Sequence, residues 1–147
     1  MRFLRGPLFF LLLLLLTPLF AKAAGNDVVW SGLVYASTVP NPTPPPLELV
    51  SFAAKLQHIF GYNQLQLVGQ HSQEMGGAVE QWLLPANQIS LLVNSRRLQG
   101  SYQLDLQLFQ GSRPAVHSVV MLSRQSPIFL KGPLYGEGQL VIILSLK

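Results

Sequence analysis

The chain has 147 residues, 49% hydrophobic and 11% charged, with Lys+Arg 10 against Asp+Glu 6 and no cysteine. These figures exclude a large multidomain enzyme, a disulfide-stapled mini-protein, a zinc–thiolate site and a charge-rich disordered chain. The net charge of +4 raises nucleic acid or an acidic membrane as targets.

The position of the charges removes that reading. Residues 1–23 have the form of a secretory signal peptide. Arg2 and Arg5 give a positive start, Pro7 to Phe20 is an apolar stretch, and Ala21-Lys22-Ala23 offers small residues for cleavage before Ala24. The alternative is a retained anchor, but this stretch is 14 residues long and a spanning helix needs roughly 20. Cleavage removes Arg2, Arg5 and Lys22, leaving seven cations against six acids, a net charge of +1. Seven scattered cations do not make a nucleic-acid footprint. The expected product is one exported domain, residues 24–147, periplasmic or secreted and not membrane-spanning. No cysteine is available for a lipid anchor, and Asn41-Pro42-Thr43 is no glycosylation site because of its central proline. An exported domain with neither cysteine nor a usable sequon fits a bacterial periplasmic or secreted protein better than a eukaryotic extracellular one.

Val28 to Thr38, rich in valine and aromatics, reads as a strand. Residues 39–46 hold five prolines and predict a stiff extended connector within the domain. Leu47 to Phe60 predicts the single N-terminal amphipathic helix. Leu49, Phe52, Ala53, Leu56, Ile59 and Phe60 form its apolar stripe. Glu48 suits its start, His58 its end, and Gly61 its stop. Its polar face lacks the Lys/Arg enrichment of a membrane-surface helix, so it is expected to pack on a sheet.

Strand patterns follow from Asn63. Gly76-Gly77 predicts a hairpin turn that would place Gln73 opposite Glu80 and His71 opposite Trp82. Ile89 to Val93 is a further strand, and Arg96-Arg97 after it reads as a solvated turn. Ser101 to Phe109 has the clearest period of two, with Tyr102, Leu104, Leu106 and Leu108 against Ser101, Gln103, Asp105 and Gln107. Gln110 to Pro114 reads as a turn, Val116 to Leu122 as a strand continued at Pro127 to Leu130, and Lys131 to Gly138 as a glycine-rich loop. Gln139 to Leu146 is apolar on both faces and is expected to be a central strand. The sum is α+β: a mostly antiparallel sheet of six to seven strands with one helix on one face.

Catalytic patterns are absent from the sequence. His58, His71 and His117 show no metal-ligand spacing. His71-Ser72 and His117-Ser118 lie along strands, where neighbours diverge, so neither makes a triad. Glu74 and Glu80 do not converge as a glycosidase pair in the expected register, and Gly132, Gly136 and Gly138 are not followed by a phosphate-loop Lys. No catalytic, metal or cofactor residue is assigned. The residues suited to touching a ligand or partner are Trp30, Tyr35, His71, Trp82 and Tyr135. Glutamine, common at polar strand positions, hydrogen-bonds sugars and peptides without charge.

Phe60-Gly61-Tyr62, Tyr102-Gln103-Leu104-Asp105-Leu106 and Gly132-Pro133-Leu134-Tyr135-Gly136 resemble stretches of small uncharacterised secreted bacterial α+β proteins. The resemblance implies an envelope location and supplies no activity. The sequence therefore points to a non-enzymatic exported protein-interaction or envelope-assembly module with a protein partner. A glycan or small-ligand binding module is the alternative, and a small hydrolase a third.

Overall fold

The computed structural model describes residues 27–75, 79–84 (as backbone) and 89–147. The expected signal peptide and the Gly76-Gly77 turn lie outside them. Eight strands and one helix occur among the described residues: β1 (Val28–Ser37), α1 (Val50–Phe60, entered through a 3-10 turn at Leu47–Leu49), β2 (Gln64–Glu74), β3 (Val79–Leu84), β4 (Ile89–Leu98), β5 (Ser101–Gln110), β6 (Arg113–Leu122), β7 (Ile128–Tyr135) and β8 (Gly138–Leu146). The class is α+β, mostly antiparallel with one short helix.

The strands form two four-stranded sheets, β2-β1-β8-β7 and β3-β4-β5-β6. The order is that of an up-and-down meander opened between β2 and β3 and between β6 and β7. Period-two alternation drives the stacking. On β5, Tyr102, Leu104, Leu106 and Leu108 are buried while Gln103, Asp105 and Gln107 face outward. They meet Leu33, Leu140, Ile142 and Leu144 of the first sheet in one core. Helix α1 covers the other side of that sheet, where Leu49, Ala53 and Leu56 pack on Val34, Ala36, Val141 and Ile143. Strand β8 is thus sandwiched on both faces and buried from Gly138 to Leu144, as its unbroken apolar run predicts. The outer face of β3-β4-β5-β6 carries no helix among the described residues.

The helix ends where expected. Gly61 adopts φ 75°, a left-handed stop that its missing side chain permits, and its N–H closes on the Gln57 carbonyl. One residue of the predicted stripe departs: Ile59 is 49% exposed. It lies at the edge of the stripe, and the burial is carried by Leu49, Ala53 and Leu56.

Six expectations need correction. The helix is not N-terminal but follows β1, at residues 47–60. The stretch from Ile128 does not continue β6 but forms β7 in the other sheet. There are two stacked sheets, because alternation marks an inward face without specifying which strand lies opposite. The hairpin register fails: His71 pairs with Ser31 and Gln73 with Val29, while Glu80 pairs with Val93 and Trp82 with Leu91. The chain crosses from one sheet to the other between β2 and β3. Arg96 and Arg97 lie within β4, not in a turn, opposite Gln103 and Tyr102. The expected loop from Lys131 is a strand as far as Tyr135; Gly132-Pro133 is absorbed as a bulge between Lys131 and Leu134.

The proline-rich segment 39–46 is tethered as well as stiff. Asn63 accepts from the Val39 N–H and donates back to the Val39 carbonyl, each at 2.9 Å. Gln64 does the same for Thr43, accepting from its N–H at 2.8 Å and donating to its hydroxyl at 2.9 Å. Two side-chain amides thereby clamp a segment whose prolines cannot donate to a ladder.

Candidate interaction surface

Strand β6 borders the uncovered sheet and hydrogen-bonds to β5 alone among the named strands. From Ala115 to Leu122 it contains no Lys, Arg, Asp, Glu or Pro. Its outward side chains include Val119, 55% exposed, and Met121, 50% exposed. Sheet edges are normally guarded by charge, proline or bulges against pairing with another chain. Edge strand β7 has such guards in Lys131, Pro133 and its bulge. Edge strand β2 has a bulge between Leu33 and Val34 of its ladder with β1. On β6 the proline and the ladder irregularity sit at the start, near Pro114 and Leu108/Phe109, and the remainder is open.

The face beside this edge is polar with two apolar projections. Asn94, Arg96, Gln103, Asp105 and Val119 line one shallow depression, and Leu92, Asn94, Asp105 and Gln107 the next. Asp105 meets His117 Nε2 at 2.6 Å across β5 and β6. Both groups are open to solvent, so this pair adds little to stability. Ser118, next to His117, takes the opposite face, opposite Leu106. The imidazole–carboxylate contact therefore has no serine nucleophile from its own strand.

The five residues singled out in the sequence do not converge. Trp30 lies beneath α1, 5% exposed, its ring stacked on Phe52 at 5.9 Å and its Nε1–H donated to Gln70 Oε1 at 3.0 Å. Tyr35, on the opposite face of β1, meets Tyr135 edge-on at 5.9 Å; Tyr135 is 48% exposed. His71 is half-buried on β2, with Nε2 3.3 Å from Gln73 Oε1. Trp82 sits on β3 opposite Leu91, and its side chain lies outside the described residues.

A second polar cluster was not foreseen. Tyr102, buried on β5, donates its hydroxyl to Asp27 Oδ2 at 2.7 Å, and Arg124 pairs with the other oxygen of Asp27. The Tyr102 hydrogen bond, with Arg124 and Arg97 nearby, holds the Asp27 carboxyl below its ordinary range, outweighing its desolvation. Burial, and then the Asp27 carboxylate, push the Tyr102 hydroxyl up. The partners lie far apart in sequence, so only the fold unites them; a tyrosine in an otherwise leucine-lined strand was the available signal.

Among the described residues no helix is long and apolar enough to cross a membrane, and no group of His, Asp and Glu is placed to hold a metal ion. No family model, curated protein or solved structure matches the chain.

Proposed function

We propose that the protein is an exported, non-catalytic interaction module of the bacterial envelope that takes a protein partner by strand addition. The observation that carries this reading is β6: an edge strand open from Ala115 to Leu122, without Lys, Arg, Asp, Glu or Pro, that carries exposed Val119 and Met121. An extended segment paired there gains main-chain hydrogen bonds, and alternate side chains gain contact with the outer face. The signal-peptide pattern and the resemblance to secreted bacterial α+β proteins supply the location.

The test is capture from bacterial envelope extract with the mature protein and with Val119→Lys. A stoichiometric partner retained by the first and lost by the second is expected. Failure to recover any such partner, or equal recovery by the variant, removes the reading.

The amide-rich face gives a second reading, a glycan-binding module. Asn94, Gln103 and Gln107 line adjoining depressions and offer uncharged donors and acceptors suited to sugar hydroxyls. Co-sedimentation with peptidoglycan that is lost in Gln103→Ala/Gln107→Ala supports it; sedimentation unchanged by those substitutions excludes this face.

A further inference from the structure

Helix α1 does not cover its sheet completely. Its first turn stops above Trp30, whose row across the sheet is Ser72, Trp30 and Ser145, on β2, β1 and β8. Under the helix this face is apolar at Val34, Ala36, Val141 and Ile143. Beside Trp30 it turns polar. The result is a cavity of about 440 Å³ floored by the two serines, Trp30 and Gln70. Glu48, Ser51 and Phe52, from the helix and the turn before it, and Lys147 complete its lining. Its volume lies within the ~300–1,000 Å³ of small-molecule sites.

The lining is preorganised. The Trp30 ring lies over Gly32, where a β-carbon would collide with it, and is held from above by Phe52. Its indole N–H occupies the Gln70 carboxamide oxygen, leaving the amide nitrogen to donate elsewhere. The Lys147 ammonium stands 5.7 Å from the Trp30 ring centre, and the backbone it extends from is held by the Lys147 N–H bond to the Val28 carbonyl at 2.8 Å.

We propose that this cavity binds a small zwitterion, an α-amino acid. Its lining holds an anion, Glu48, and a cation, Lys147, from different parts of the fold, together with the polar groups of the floor. The ammonium of an amino acid answers Glu48. Its carboxylate answers Lys147, the Gln70 amide nitrogen and the hydroxyls of Ser72 and Ser145, all donors. Its side chain is left against Phe52. A neutral sugar would satisfy the serines but leave both charges unanswered, and a simple anion or cation would meet a like charge in the lining.

The experiment is saturation-transfer NMR on the mature protein with an equimolar mixture of the common amino acids. The responding amino acid is then compared with its N-acetyl and its amide derivatives, and with glucose. Transfer to at least one amino acid is expected, with each blocked form weaker by about tenfold or more, the loss of one charge-assisted hydrogen bond. Ser145→Leu, which fills the floor, abolishes transfer, while Val119→Lys leaves it unchanged. No transfer to any amino acid overturns the proposal. So does transfer that survives Ser145→Leu in a variant with wild-type circular dichroism, or equal response from the blocked forms or glucose.

Discussion

Tyr102 and Asp27 are 75 positions apart in the chain and 2.7 Å apart in space. The bond ties β5 of one sheet to the residue that leads into β1 of the other, and the N–H of Met75 closes on the Asp27 carbonyl at 2.8 Å. Three segments thus meet at one end of the sandwich, with Arg124 on the second carboxylate oxygen.

This latch makes stability depend on pH in a defined sense. The Asp27 carboxyl is lowered from 3.8 in the fold, so its contribution is complete above that pH and is lost as pH falls through the lowered value. The Tyr102 hydroxyl is raised from 10.0, so its contribution is complete below that pH and is lost as pH rises through the raised value. Tyr102→Phe should cost about 1–2 kcal/mol at neutral pH, the worth of a hydrogen bond to a partly exposed charge. Urea unfolding of both proteins from acid to neutral pH checks this: the difference should be flat near neutrality and shrink as Asp27 protonates.

Gly138 opens β8 where two strands come too close for a side chain. A β-carbon there would stand 2.5 Å from the Ala36 carbonyl oxygen and 2.5 Å from the Tyr35 ring. The tyrosine can move, but the backbone oxygen cannot without breaking the β1–β8 register. Gly138→Ala should therefore cost about 1–3 kcal/mol, as overpacking does, in thermal or chemical unfolding. It should also disturb the Tyr35–Tyr135 contact, visible in the near-ultraviolet circular dichroism. An unchanged midpoint would show that the strand ends yield freely.

These contacts mark how far the sequence could be read. Helix α1 was legible because spacing and Gly61 agree, and β8 because no polar residue interrupts Leu140 to Leu144. The pairing of His71 with Ser31 was not legible. Alternation says which side chains share a face, and a Gly-Gly pair says where the chain bends, but neither says whether it folds back or crosses to another sheet. For the surfaces, the open edge of β6 was half visible as a valine-rich run without charge; that it borders a sheet depends on the whole topology. The chemistry of Trp30 suits a contact residue, yet Phe52 occupies its face, and Ser72 and Ser145 join it in one row only through the strand register.

The clamp on the proline segment predicts a local effect. Gln64→Leu removes both bonds to Thr43 but keeps an apolar side chain of similar size at a buried position. The loss should be about 1–3 kcal/mol, since the Thr43 N–H is left without its acceptor. Hydrogen exchange should accelerate at Thr43 in Gln64→Leu and at Val39 in Asn63→Ala, while β5 retains its protection. Acceleration spread across β5 would show that the segment is integral to the sandwich core.

The two faces of β8 allow the layers to be weighed separately. Ile142 is fully buried between the sheets, opposite Leu33 and Leu130 in its ladders. Ile143, its neighbour, is fully buried under α1. Either change to Ala should cost about 2–5 kcal/mol through lost contact and the cavity left behind. The consequences should differ in kind. Ile142→Ala opens the contact between the sheets and should lower the protection of β5 and β8 together. Ile143→Ala loosens the helix on its sheet, so the amides of α1 should exchange faster relative to those of β5. Ile59→Ala, on the exposed flank of the helix, should stay within about 0.5 kcal/mol of the parent protein. If Ile143→Ala weakens β5 as much as α1, the helix and the two sheets unfold as one unit, and the three layers share a single cooperative transition.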